Sequence, residues 1–337
     1  MQAINLCKQL SKLTEIDCKI FNLQKEASSG VIQVTNSINL YTLPVNRLIQ
    51  VAFISYYFIR YRPQIVHCHG FMLHVILLAK LFGIKVVLKS TLLHQDDFDT
   101  LLSANSSLIR KTLNKLAIKA IDANNALTKP IYDINKQYVP KNIFKISNMY
   151  SGKISDCNGK LNQALIVGAV VPRKDVLGAI SFYQTHLASF MNKLLIVGPL
   201  EPKSSEYCQR YSEKVRAAIE SNPEVEFVGQ VSQKEVSDYM KKSRVLILAS
   251  SSEGMPNVVV EALANNCFVF TRNLDGVSTQ IYDSSCGRLL SESYNENLEE
   301  IISKSIDTQS PQRFALDNFG AEKIVRKHIE IYKKLLS

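Results

Sequence analysis

The chain has 337 residues, 46% hydrophobic and 21% charged, with a formal net charge of +10. This composition excludes a disordered or fibrous chain, and the length suits two domains better than one core. The positive charge favours an anionic partner, either a phosphorylated small molecule or an anionic membrane surface; without interleaved aromatics or a recognisable binding module, nucleic acid is not expected as a partner.

In chain order, "AINLCKQLSKL" predicts a helix directly after Met1. A doubly wound domain ordinarily opens with a strand and a glycine-containing turn, so the first strand is expected to be missing, through a start codon inside a longer reading frame or through loss of the element. The same N-terminus lacks the apolar block of a signal peptide, and no export is expected. "CKIFNL" predicts a strand and Val45 to Tyr61 a helix. The stretch "RLIQVAFISYYFIRYRPQIVH" is broken by Arg47, Gln50, Arg60 and Arg62, too early for a membrane span, and reads as an amphipathic, largely buried helix. "QIVHCH", "KVVLKS", "AIDANNAL" and "IFKIS" follow as strands, with a helix over Phe71 to Leu81. Polar "NMYSGKISDCNGKLNQ", Asn148 to Gln163, reads as a linker.

Beyond it, "ALIVGAV", "KLLIVG", "VEFVG", "RVLILA", "CFVFT" and "GRLL" repeat the strand rhythm, and a helix over Ala321 to Leu336 closes the chain. The expectation is an α/β fold of two Rossmann-like domains, 1–155 and 156–318, followed by a C-terminal helix over 319–337. The seven cysteines Cys7, Cys18, Cys68, Cys157, Cys208, Cys267 and Cys286 are an odd number without metal-ligand spacing. A reducing, cytoplasmic location is the simplest expectation.

The densest chemistry lies in "SSSEGMPNVVVEALANNC", Ser250 to Cys267. It follows the apolar run "RVLILA", and turns at the carboxyl ends of parallel strands are where open α/β sheets bind ligands. Pro256 suits a first helical turn, and Asn265 with Asn266 suits a left-handed stop. Backbone amides of Met255, Pro256's neighbour Asn257 and Val258 would then face a diphosphate, which the helix dipole also favours, and Gly254 permits close approach. Glu253 in the turn and Glu261 within the helix could accept from the hydroxyls of two different sugars. Alternatively, Glu253 complements the helix N-terminus and Glu261 is a solvated helix residue.

"SSSEGMPNVVVEALANNCFVFTRNLDG" resembles the signature of retaining glycosyltransferases of family 4, in which two glutamates stand seven residues apart. The resemblance continues through "ALIVGAVVPRKD", "LLIVG" and "VEFVGQVSQKEVSDYMKKSRVLILAS" to "IYKKLL", and is weaker in "RPQIVHCHG" and "IFKISN". It implies a GT-B fold, with two Rossmann-like domains facing across a cleft, a UDP- or GDP-sugar as co-substrate and no cofactor. It also implies that Glu253 contacts the transferred sugar and Glu261 the ribose. Arg173 and Lys174 would neutralise the diphosphate, with Gly168 giving the tight turn and Val228 and Gly229 facing the base. Here the chain departs from the common pattern: Ala169 stands where many relatives have arginine, with Arg173 as the substitute charge, and Asp175 stands where glycine is usual.

In the first half, His67 and His69 project to one side of a strand end. Without further ligands they suggest a structural or site-lining role in preference to zinc, and no bound metal is expected. "KSTLLHQDDF" is dense in polar groups (Lys89, Ser90, Thr91, His94, Asp96, Asp97) and reads as an acceptor-side loop or an ordinary solvated one. His94 is the catalytic candidate there, with His69, Thr91 and Asp96 on the acceptor side. His74, His186 and His328 receive no chemistry. The implied reaction is transfer to a saccharide or lipid-linked acceptor, in cell-surface polysaccharide or lipid-linked glycan synthesis, peripherally at the inner face of a membrane. Two rivals remain: a catalytically impaired nucleotide-sugar-binding partner subunit, and the same fold performing epimerisation or phosphorolysis.

Overall fold

The computed structural model describes every residue except 1, 14–15, 24–29, 36–37, 44–45, 104–106, 140–141, 155–158, 275–280, 282–284 and 291–292. Val45, Cys157, Asp275, Gly276 and part of the expected linker therefore lie outside the described residues. The chain divides into two compact units, Met1–Ser151 with Ala321–Ser337, and Gly152–Gly320.

The N-terminal unit opens with helix α1 (Gln2–Leu13), then β1 (Ile20–Asn22), β2 (Gly30–Gln33), β3 (Asn39–Thr42), α2 (Arg47–Tyr61), β4 (Ile65–His69), α3 (Leu73–Leu81) and β5 (Lys85–Ser90). It continues with α4 (Phe98–Ser103), α5 (Leu108–Lys119), β6 (Ala123–Ala126), α6 (Lys129–Asn135) and β7 (Ile143–Phe144). As the periodicity implies, the first described element is a helix. The strands form two sheets, a mixed one in the order β1-β3-β2 and a parallel one in the order β4-β5-β6-β7. Strands β2 and β3 escape a reading from pattern because β2 is exposed at every position.

Two apolar layers hold this unit. On one side, Ile54 and Phe58 of α2, Ile76 and Ala79 of α3 and Ala117 of α5 pack with Cys68, Val86 and Leu88 of the parallel sheet. In a second cluster, Leu6 and Leu10 of α1 meet Val87, Ala123 and the C-terminal helix through Ile324, Val325 and Ile331. The prediction that α2 is largely buried fails: its buried residues are Gln50, Ile54 and Phe58, while Leu48 is 80% and Ile59 64% exposed. An apolar run marks a helix but does not say how many of its faces are covered.

The C-terminal unit comprises β8 (Leu161–Val167), a 3-10 turn at Pro172–Lys174, α7 (Val176–His186), β9 (Lys193–Val197), α8 (Gln209–Glu220), β10 (Val225–Gly229) and α9 (Gln233–Lys242). Then come β11 (Ser243–Leu248), α10 (Asn257–Ala264), β12 (Phe268–Thr271), β13 (Gly287–Leu289), α11 (Leu298–Asp307) and α12 (Ser310–Phe319). The expected linker ends early, since Leu161 to Gln163 already belong to β8. Helix α13 (Ala321–Leu336) returns to the N-terminal unit.

Its single sheet is parallel throughout, in the order β10-β9-β8-β11-β12-β13. Continuous apolar strands such as β9 and β11 are buried along nearly their whole length, as a sheet covered on both faces requires. From β8 the chain steps outward to β9 and β10; from β11 it steps the other way to β12 and β13. The order therefore reverses between β8 and β11, and their loops diverge at the carboxyl edge, where doubly wound sheets take ligands.

Candidate active site

The two loops at this switch point are Gly168–Asp175 after β8 and Ala249–Pro256 after β11. They are tied together: Ser251 donates its backbone N–H to the Arg173 carbonyl at 2.8 Å. The 3-10 turn aims the side chains of Arg173 and Lys174 at the opposite loop. Glu253 Oε1 accepts from Lys174 Nζ at 2.5 Å and from Arg173 Nη1 at 3.1 Å. Arg173 also donates to the Ser252 carbonyl at 2.9 Å and grips Glu206 with two bonds of 2.7 and 3.0 Å. The geometry of a fork on a carboxylate makes this last pair charge-assisted and directional. It holds the Glu206 carboxyl below its usual range.

Glycines let the loops approach this closely. Gly168 has φ +149°, a backbone conformation that residues with a side chain rarely adopt. A Cβ on Gly198, just beyond β9, would collide with the Gly168 carbonyl. The strand ends are then stitched in sequence: Gly168 N–H donates to Val197 at 2.9 Å and Gly198 N–H to the Gly229 carbonyl at 2.8 Å. Val228 and Gly229 thus stand on the same carboxyl edge as Gly168. Asp175 adopts the left-handed conformation, φ 45°, at the N-cap of α7 and accepts from Gly178 N–H at 3.2 Å. The left-handed backbone explains why glycine suits this position; Asp tolerates it and uses its carboxylate as cap and as the partner of Arg272.

Helix α10 begins one residue later than predicted, with Pro256 as its N-cap and Asn257 as first helical residue. Gly254, Met255, Asn257 and Val258 occupy the turn and first helical residues beside Glu253, although the Met255 side chain itself is buried. Asn266 has φ 58°, the left-handed stop read from the sequence. Glu261 lies inside α10, where burial raises its pKa above the ordinary carboxyl value.

The residues singled out in the N-terminal unit do not form a comparable constellation. Asp96 is buried and its carboxylate accepts from Thr91 N–H, Thr91 Oγ1 and Leu92 N–H at 2.7 to 3.0 Å, so it staples the loop instead of presenting itself to an acceptor. Thr91 is the other half of that staple. Asp97, which pattern did not distinguish, accepts from His94 N–H at 2.6 Å and Thr100 N–H at 2.9 Å. His94 is exposed in a left-handed turn, φ 65°. Ser90 joins a buried amide network with Asn124 and Asn135.

The rings of His67 and His69 lie on one side of β4, with centroids 4.8 Å apart. Nδ1 of His67 is 2.7 Å from the Tyr332 hydroxyl, and its ring is 5.4 Å from that of His328, both on α13. Desolvation beside the buried Lys89 lowers the pKa of His69 and of His328 to about 3. Lys89 is itself pushed down to about 8 by burial and donates to Asn148 at 2.8 Å. His69 also lines a cavity of about 760 Å³, shared by Phe21, Arg47, His74 and Arg110. Among the described residues no group of three or more His, Cys, Asp or Glu is arranged to hold a metal ion.

Sequence reasoning missed Gly198 and Glu206. For Gly198 a signal exists: β8, β9 and β10 all run out in Val-Gly, at Gly168, Gly198 and Gly229. Glu206 sits in an aperiodic segment, and only the folded loops bring it to Arg173.

The family model described as "Glycosyl transferases group 1" matches residues 152–322, about half of the chain. The uncharacterized glycosyltransferase MJ1178 of Methanocaldococcus jannaschii is 27% identical over 185 residues, 52% of this chain and 49% of that protein. The match thus spans about half the length of that relative. Among solved structures, sucrose-phosphate synthase from Thermosynechococcus elongatus superposes with a TM-score of 0.72 at 15% identity, covering 98% of this chain and 92% of that one. Anabaena Alr3699/HepE in complex with UDP gives 0.72 at 13% identity, covering 99% and 95%. A glycosyltransferase from Rickettsia africae gives 0.67 at 16%, covering 100% and 94%. With two Rossmann-like units, each containing a parallel sheet, the chain belongs to the group 1 glycosyl transferases and has the GT-B fold.

Proposed function

We infer that the protein is a retaining glycosyltransferase of family 4 type that moves a sugar from a UDP- or GDP-sugar to a hydroxyl of a saccharide or lipid-linked acceptor. The observation that carries this reading is the convergence of Lys174 and Arg173 on Glu253 at the sheet's switch point. UDP in the solved Anabaena neighbour supports a uridine donor.

In the reaction the bond between the sugar's anomeric carbon and the diphosphate oxygen breaks. The acceptor oxygen bonds to that carbon from the same face, and its proton goes to the departing phosphate. Charge accumulates on the leaving group, and Lys174 and Arg173 stabilise it as fixed cations. Glu253 orients the transferred sugar and Glu261 the ribose. Arg173 exchanges its fork on Glu206 for phosphate oxygens, since the four side chains Arg173, Lys174, Glu206 and Glu253 together are neutral and a diphosphate is better held once one carboxylate is released. The protein acts in cell-surface polysaccharide or lipid-linked glycan synthesis, peripherally on the inner face of a membrane.

The test is a screen of UDP- and GDP-sugars against free and lipid-linked saccharides, with the anomeric configuration of the product read by NMR. Transfer with retention is expected. An inverted product, or epimerisation or phosphorolysis without transfer, contradicts the reading, and binding without turnover points instead to a partner subunit.

A further inference from the structure

Helices α2, α3 and α5 bury one face each in the same apolar layer against β4 and β5. Their opposite faces therefore lie on one side of the N-terminal unit. That side is apolar and exposed: Leu48 80%, Tyr56 59%, Ile59 64%, Leu81 80%, Leu108 83% and Ile109 74%. Single exposed apolar residues are ordinary, but six large ones on three helices that pack side by side mark an interaction surface.

The charge on these helices is one-sided. They contain seven Lys or Arg and not one Asp or Glu. Among the described residues, none of the seven makes an ion pair. Asp99 of α4, a helix that packs against α5, accepts from the Tyr138 hydroxyl at 2.6 Å. Helices of the C-terminal unit differ: α8, α9 and α11 carry Glu213, Glu235, Asp238, Glu299 and Glu300 among their basic residues.

We propose that the α2–α3–α5 face is a docking surface for an anionic lipid bilayer. Exposed aliphatic and aromatic side chains enter the headgroup boundary, and the unpaired cations meet lipid phosphates. A second copy of the chain is a poorer occupant, because a two-fold interface would set these cations against themselves. No helix among the described residues is long and apolar enough to cross a membrane, so the contact is peripheral. The cavity adds a second observation. Its lining includes Arg47 and Gln50 of α2, Leu73 and His74 of α3 and Arg110 of α5, all near the N-terminal ends of these helices, and among the described residues no acidic one. Nε2 of His74 is buried without a hydrogen-bond partner. A headgroup phosphate entering there meets two guanidinium groups and that ring nitrogen.

This extends the membrane part of the reading above but is tested without turnover. Flotation with phosphatidylcholine vesicles, with and without phosphatidylglycerol, is measured at low and high salt in the absence of nucleotide sugar. Binding to the anionic vesicles alone, weakened by salt, is expected. Leu48→Ser/Ile59→Ser and Lys111→Glu/Lys115→Glu should each lower the partition coefficient about tenfold or more, with unchanged melting temperature. Lys214→Glu/Lys234→Glu in the C-terminal unit should leave it unchanged. No binding to anionic vesicles at low salt overturns the proposal, as does an equal loss in the control variant. It is also overturned if light scattering shows a dimer that Leu48→Ser/Ile59→Ser dissolves while vesicle binding persists.

Discussion

The two units place their polar chemistry differently. In the C-terminal unit it stands at the carboxyl edge of one continuous sheet, in loops drawn together by glycines and by the ion pairs of Arg173 and Lys174. The N-terminal unit turns its polar residues inward: His67, Lys89, Asn124 and Asn135 are buried or half-buried and satisfy one another or pack against α13. The α2–α3–α5 face that it leaves outside is apolar and basic. Chemistry that must meet a small ligand sits on loops that a rigid scaffold positions, whereas a polar network inside a core serves the fold and is sensitive to any unpaired group.

The largest expected effect follows from this contrast. Lys174→Ala and Glu253→Ala should each reduce transfer about 100-fold or more, the scale of losing one stabiliser of developing charge. Their stability should change by about 1 kcal/mol or less, because both line a loop junction and fill no core. A wild-type rate in either variant breaks the assignment of chemistry to the C-terminal unit.

In the N-terminal unit the same kind of change should act on stability instead. His69 and His328 have folded pKa values lowered from 6.5 to about 3, and His67 is also lowered by burial. Such groups bind protons more readily in the unfolded chain. Their contribution is complete above pH 6.5 and is lost as pH falls toward 3, by up to about 1.4 kcal/mol per pH unit for each histidine. Thermal melts across this range should show that decline, and His328→Gln should flatten it. A melting temperature independent of pH here would remove the distinction drawn between the units.

A smaller effect sharpens the picture of the donor site. Glu206→Gln loosens the fork on Arg173 without touching Glu253, so affinity for UDP by calorimetry should rise a few-fold, on the order of 0.5–1 kcal/mol for an exposed pair. Weaker binding would mean that Glu206 helps the ligand directly.

Much of the C-terminal unit was legible because its signals are local. Each apolar strand ends in a glycine or a short polar turn, and the stop at Asn266 is a single-residue conformational preference. The pairing of Arg173 with Glu206 was not legible, since it joins two loops that only the sheet order brings together. The same limit explains Asp96. A carboxylate in a polar loop looks available in one dimension, and only the fold shows that amides of Thr91 and Leu92 already occupy it. For α2 the failure was of another kind: a long apolar run predicts burial over most of the helix, whereas Leu48 and Ile59 are exposed and only one face is covered.

The most direct measurement is a crystal structure of the protein soaked with UDP. The account predicts phosphate oxygens at the first turn of α10, within hydrogen-bonding reach of Lys174 Nζ, and the Arg173 guanidinium turned away from Glu206 toward them. Nucleotide bound elsewhere, with both cations still closed on Glu253, would contradict it.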